Sequence, residues 1–261
     1  MIKLKTPEEI EKIAVSGKIL SVILKAVAES AVIGARLREL DELARRLVAQ
    51  TEKRLGVSVK PAFLGYLSEG SLKPYPAAIC TSVNDVIVHG YPSDYRLKSG
   101  DVLKLDFGIN YDGYYSDAAV TIGIGEIYPQ ARKLIKITKT ALGKAIKIIK
   151  PGRHLGDIGW AISDYVKSAS RGKFTVIEGL TGHGVGIKLH EEPTVYNYGL
   201  KGSGKKLEEG MVLAIEPMVS AGSEKIIQKK DDSYATSDGS LSAHFEHTVA
   251  VTDSGARILT Q

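Results

Sequence analysis

The 261-residue chain is 43% hydrophobic and 25% charged and carries a net charge of +5, which excludes a disordered or fibrous protein and fits a globular one with a sizeable core. A single cysteine, Cys80, excludes an intramolecular disulfide framework, and no apolar leader follows Met1, so the expected setting is a reducing cytoplasm with no membrane span. The charge fits an ordinary solvated surface or weak attraction to a polyanion such as ribosomal RNA; the densest basic region (Lys201, Lys205, Lys206, Lys225, Lys229, Lys230) has no interleaved aromatics.

The first helix is expected from Thr6, which can cap it. Pro7 suits the first helical position, and Glu9 completes a capping box. Ile10, Ile13, Ala14, Gly17, Leu20, Leu24 and Val27 follow at helical spacing. After Gly34, a second helix carries Leu37, Leu40, Leu43, Ala44, Leu47 and Val48 on one face, and strand-like segments run on to Gly125. The order then restarts, with a helix over about Pro129–Lys150, the pair Pro151-Gly152, a helix carrying Leu155, Ile158, Ile162, Tyr165 and Val166, and further strands. Overlaying Gly34 on Gly152 aligns Leu37 with Leu155, Leu40 with Ile158, Ala44 with Ile162 and Val48 with Val166. The expectation is one domain, 1–261, made of two halves (about 1–125 and 126–261) related by an approximate two-fold.

The strands echo each other too. Gly100-Asp101-Val102-Leu103-Lys104-Leu105-Asp106 resembles Gly210-Met211-Val212-Leu213-Ala214-Ile215-Glu216, an apolar strand ending on a carboxylate in each half. Asp112-Gly113 is a two-residue hairpin signal. With that turn, Asp106 faces Ala119 and Asp117 lies two residues along on the same face, about 7–8 Å away as a diagonal neighbour. Acids flanking a turn are ordinarily solvated, but apolar strand patterns adjoin both of these. Glu216 matches Asp106, and Glu246, just before Thr248-Val249-Ala250-Val251, matches Asp117. His183 stands in Thr181-Gly182-His183-Gly184-Val185-Gly186, where glycines permit close backbone approach and leave the ring uncrowded. Four carboxylates and one imidazole balance two divalent cations, and an oxygen-rich set with one nitrogen suits Mn, Fe, Co or Zn. Two such ions can activate water and polarise a carbonyl, which is hydrolytic chemistry on an amide or ester.

Asp106, Asp117, His183, Glu216 and Glu246 stand in the order and spacing of the metal ligands of the methionine aminopeptidases, members of the pita-bread superfamily. The words Cys80-Thr81-Ser82-Val83-Asn84-Asp85, Val88-His89-Gly90, His190-Glu191-Glu192-Pro193, Ile215-Glu216-Pro217-Met218 and Ser240-Leu241-Ser242-Ala243 extend the resemblance along nearly the whole chain. With His183 and Glu216 only 33 positions apart, the spacing resembles type I. The resemblance implies an α+β pita-bread fold, two pseudo-two-fold halves with helices outside a central antiparallel sheet. It also implies removal of the initiator methionine from nascent N-termini, with a small second residue preferred, through a hydroxide shared by two metals. Glu216 would move the proton to the leaving amine, His190 would stabilise the oxyanion, and His89 would contact the peptide beside the scissile bond.

By the same resemblance, Phe63, Tyr66, Tyr75, Cys80, Leu189 and Tyr234 form the methionine pocket, and a monovalent cation sits near Asn84, Val86 and Ser242. Leu189 stands where the family commonly has Phe, Tyr234 near a usual Trp, Phe63 for a frequent Cys and Ile187 for a basic residue, and the loop 67–74 is longer than usual. The expected state is a cytoplasmic monomer with transient ribosome association. His244 and His247 have no ligand role in the pattern, and His154 is expected to be a solvated helix-start residue. A prolidase-type peptidase would ordinarily carry an extra N-terminal domain, and a pita-bread binding protein without metals would lack some of the five ligands.

Overall fold

Local sequence chemistry sets the helices in this computed structural model, which describes residues 2–67 and 73–261. Helix α1 (Pro7–Ser30) starts on the expected capping box, with Glu9 N donating to Thr6 Oγ1 at 3.2 Å and Thr6 N to Glu9 Oε2 at 2.9 Å. It buries Ile10, Ile13, Gly17, Leu20, Leu24 and Val27, while Ala14 is half-buried. Helix α2 (Leu37–Leu55) follows. Strands β1 (Val59–Pro61), β2 (Ile79–Val83), β3 (Val86–Val88), β4 (Val102–Tyr111) and β5 (Tyr114–Gly123) complete the first half.

The second half begins with α3 (Pro129–Lys147) and α4 (Leu155–Ser170). Helix α3 stops three residues short of the expected Lys150. Ile148 N and Ile149 N turn to carbonyls three residues back, and the residue before Pro151 is sterically disfavoured in a helix. The short strands β6 (Thr175–Val176), β7 (Thr181–Gly184), β8 (Glu191–Tyr196), β9 (Val212–Ile215), β10 (Met218–Ser220), β11 (Ile226–Gln228), β12 (Tyr234–Thr236), β13 (Ser242–His244), β14 (His247–Thr252) and β15 (Gly255–Ile258) follow.

The repeat survives in detail. Gly34 and Gly152 both adopt left-handed φ (+88° and +84°), and each is followed by a helix whose N-cap backbone N–H is taken by an acid three residues on. Arg36 N donates to Glu39 Oε2 at 2.9 Å, and His154 N to Asp157 Oδ2 at 2.8 Å. His154 is half-buried rather than solvated, because its backbone bridges to Lys206 as that of Arg36 bridges to Arg96. Each helix pair covers its own strands. Leu20, Leu24, Leu40 and Val48 pack with Leu103, Leu105 and Phe107, while Leu134, Ile158 and Ile162 pack with Leu213, Ile215 and Val249. Among the described residues, no helix is long and apolar enough to cross a membrane.

All the strand pairs are antiparallel, and the halves meet where β3 pairs with β12 and along a central seam at β5. The Asp112-Gly113 turn (φ +49° and +88°) sets the β4–β5 register, with Asp106 opposite Ala119 as expected. Strand β5 then runs beside residues 244–248, joined at every second residue. His244 N donates to Thr121 Oγ1 at 2.9 Å, Glu246 N to Ala119 O at 2.9 Å, and Asp117 N to Thr248 Oγ1 at 2.9 Å. Beyond the seam, β14 pairs with β9 (His247 opposite Ile215), and β9 with β7 (Ala214 opposite His183).

Thr248 is fully buried, and its hydroxyl also donates to Asp117 O at 2.8 Å. Thr248→Val strands both backbone groups of Asp117 and should cost about 2 kcal/mol. That is a fall in Tm of roughly 4–8 °C, checked by thermal unfolding.

Candidate active site

The register above carries the five candidate ligands onto five laterally adjacent segments. Asp106 lies on β4, Asp117 on β5, Glu246 on the 244–248 segment, Glu216 at the end of β9 and His183 on β7. Gly182 and Gly184 let the His183 strand fit. A Cβ at Gly182 would lie 2.3 Å from Ala214 O, and one at Gly184 would lie 2.3 Å from Glu192 O. His183 Nδ1 is 2.9 Å from Gly184 O. A carbonyl only accepts, so Nδ1 carries the proton and Nε2 keeps its lone pair. That Nε2 lies 3.5 Å from Glu216 Oε1 and 3.9 Å from Asp117 Oδ2.

The four carboxyls are buried together, and three of their oxygens (Asp106 Oδ1, Asp117 Oδ1, Glu246 Oε1) have no hydrogen-bond partner. Burial pushes Asp106 up to about 7, with His244 pulling it down and Glu216 pushing it up. Burial likewise pushes Glu216 up to about 7 against the pull of His183. Asp117 and Glu246 are held well above the carboxylate range by burial and then by the neighbouring acids. Orphaned buried carboxyl oxygens are costly unless something positive meets them. Ligand atoms of Asp117, His183 and Glu246 all lie within 4.8 Å of one another. Donor set, burial and spacing fit divalent cations.

These acids form the floor of a cavity of about 300 Å³ that every expected site residue lines. Phe63, Cys80 and Leu189 pack as an apolar cluster, flanked by Tyr66 and Tyr75. Tyr234 reaches the cavity from another cluster, with Ile87, Val88 and Met218, and its ring lies 5.7 Å from that of His89. His89 has φ +60°, a strained conformation for a non-glycine residue. Burial pushes the His89 imidazolium down to about 4 and that of His190 to about 3, aided by neighbouring histidines. Both rings are therefore neutral near pH 7. His190 Nδ1 is 2.7 Å from the Tyr66 hydroxyl. Its loop is fixed by Glu191, which accepts from Ile187 N and Lys188 N at 2.7 Å each and pairs with the buried Lys5 Nζ at 2.5 Å. Of the longer loop 67–74, residues 68–72 lie outside the described residues.

The sequence pattern passes over His244. Its Nε2 stands 3.4 Å from Glu216 Oε2, it is fully buried, and neither ring nitrogen has a hydrogen-bond partner. The available signal was its place two residues before Glu246, since alternate strand residues share a face. His247 instead bonds Thr260 through Nδ1 at 2.9 Å.

The group around Asn84, Val86 and Ser242 does not fit a monovalent cation. Asn84 O already accepts from Lys104 Nζ at 2.7 Å, Ser242 N at 3.0 Å and Ser242 Oγ at 3.1 Å. Val86 O accepts from Ser242 Oγ at 3.3 Å. Burial pushes the Lys104 ammonium down to about 7, while Asp85 and Asp101 hold it up.

Residues 11–253 match the model of metallopeptidase family M24. The chain belongs to that family. It is 46% identical over 265 residues to the methionine aminopeptidase of Aquifex aeolicus, covering 100% of this chain and 99% of the relative. It is 38% identical to methionine aminopeptidase 1 of Bacillus subtilis, with 100% of each covered. Among solved structures, a methionine aminopeptidase from Thermotoga maritima superposes with a TM-score of 0.91 at 44% identity, covering 100% of both chains. A prolidase from Pyrococcus furiosus superposes at 0.74 and 26% identity, covering 99% of this chain and 65% of that one. The M24 pita-bread fold is thus shared with both, as the sequence pattern implied.

Without cations, the raised carboxyls retain protons that cations must displace. Binding of a divalent metal should therefore release protons, more at pH 6 than at pH 8.5, because Asp106 and Glu216 titrate near 7. Calorimetry in two buffers of different ionisation enthalpy measures this.

Proposed function

We propose that the chain is a cytoplasmic, monomeric methionine aminopeptidase that removes the initiator methionine from nascent proteins when the next residue is small. The observation carrying this reading is a row of buried, partnerless carboxyls opening into a cavity with an apolar side pocket. The full-length relatives named methionine aminopeptidase support it.

Asp106 and Asp117 would hold one cation, His183 and Glu216 the other, and Glu246 would reach both. When bound, the cations supply Lewis acidity and a water ionised near neutral pH. The ligand set suits Mn, Fe, Co or Zn. Glu216 would carry the proton to the leaving amine, from its place at the end of β9 within 3.5 Å of His183 Nε2 and 3.4 Å of His244 Nε2. The Tyr66 hydroxyl, whose pKa burial raises further, donates to His190 Nδ1. The proton of the neutral ring then sits on Nε2, ready to donate to the oxyanion. His89 contacts the peptide beside the scissile bond. Phe63, Tyr66, Tyr75, Cys80 and Leu189 receive the methionine side chain, and Tyr234 borders the cavity beside His89.

Metal-loaded protein should cleave Met-Ala-Ser and spare Met-Lys peptides; equal cleavage argues against the small-residue preference, and none with any divalent metal argues against the enzyme. His190→Ala should lower kcat by about 10²–10³. His183→Ala or Glu246→Ala should leave fewer than two metals per chain by elemental analysis.

Ribosome docking through the basic region is part of the proposal. Lys201 Nζ lies 3.6 Å from the Trp160 ring centroid, so the fold brings an aromatic group to a lysine cluster that has none in sequence. Such docking should appear as co-sedimentation with ribosomes that falls steeply as salt rises, and Lys201→Glu with Lys205→Glu should weaken it.

A further inference from the structure

Lys104 is among the largest fully buried side chains, 1% exposed, in a strand that otherwise buries Val102, Leu103, Leu105 and Phe107. It shares a face with Asp106 two residues on, roughly 7 Å along the strand. Its ammonium donates to Asn84 O at 2.7 Å and approaches Val102 O at 3.5 Å.

Asn84 adopts a left-handed φ of +54° at the β2–β3 turn, and its side chain is tied on both ends. Val102 N donates to Oδ1 at 2.9 Å, and Nδ2 donates to Asp101 Oδ1 at 3.0 Å. Its carbonyl is thereby aimed at the Lys104 ammonium and at Ser242, which belongs to the second half. An alkali cation needs several carbonyl oxygens with free lone pairs. Here the central oxygen already receives three donors, more than its two lone pairs accommodate separately. An ammonium and a potassium ion are close in size, and both seek carbonyl oxygens.

We infer that the Lys104 ammonium stands in for a monovalent cation, drawing the Asn84 and Val102 carbonyls together behind Asp106, so that the metal cradle forms without K⁺ or Na⁺. The inference is independent of peptide cleavage and is read without it.

Thermal unfolding of the wild-type chain, slightly below neutral pH, would compare K⁺, Na⁺ and tetramethylammonium chlorides at equal ionic strength. The expected result is one Tm in all three, and no Tl⁺ at the Asn84 carbonyl in crystals soaked in that K⁺ mimic. A Tm raised specifically by K⁺ or Na⁺, or Tl⁺ at that carbonyl, overturns it. Lys104→Ala removes the ammonium and frees its space. This variant should be less stable in tetramethylammonium and regain a few degrees in K⁺ or Na⁺; a variant no more responsive than wild type also overturns the inference. Should Lys104→Ala fail to fold, the wild-type measurements decide.

Discussion

Four carboxyl groups packed in one buried place cannot all ionise unless positive charge joins them. Asp106, Asp117, Glu216 and Glu246 each have their ionised form opposed by burial, and the acids beside them add to this for all but Glu216. Much of the surrounding structure keeps them together regardless. Two threonine hydroxyls close the seam where backbone groups alone do not meet, and the glycines around His183 let its strand approach β9. The cluster is destabilised alone and stabilised by cations, which is why metal affinity and the acidity of these groups form one linked property.

Duplication supplies the frame, and departures from it supply the chemistry. Each half follows its first helix with a left-handed glycine, an acid-capped second helix and a strand that delivers an acid, Asp106 within β4 and Glu216 just after β9. Only the second half adds an imidazole to the ligand row, with its Nδ1 committed to a carbonyl so that Nε2 faces the acids. The first half contributes His89 in a strained backbone conformation beside Tyr234. His190 of the second half shares a 2.7 Å hydrogen bond through Nδ1 with the Tyr66 hydroxyl of the first half, so the two halves meet at this ring as well.

The elements set by local chemistry were legible in sequence: the Thr6 cap, the helical stripes, the Asp112-Gly113 turn and the strand echo. So were the acids, each beside an apolar strand pattern, although Asp106 and Asp117 fall within β4 and β5 rather than at a strand end, because both strands continue to the Asp112-Gly113 turn. Contacts between segments far apart in sequence were not. His244 looked idle because its meaning depends on the seam with β5, and nothing local reports that seam. Lys104 is one residue of an apolar strand pattern in the sequence, and only its contact with the Asn84 carbonyl gives it a role. Trp160 lies forty-one positions from the lysine it meets, and α3 ends early because backbone crowding before Pro151 outweighs its apolar spacing.

The loop bearing His190 is latched by Lys5 through Glu191, a contact spanning 186 positions, and Asp117 is held by Thr248, 131 positions away. Contacts so distant require large loops to close before they form. The residues that line the cavity run from Phe63 to Glu246, and the last carboxyl of the row is Glu246. During synthesis the row of carboxyls is therefore incomplete until Glu246 has been added, and a chain cut short before it lacks part of the row that would bind the metals.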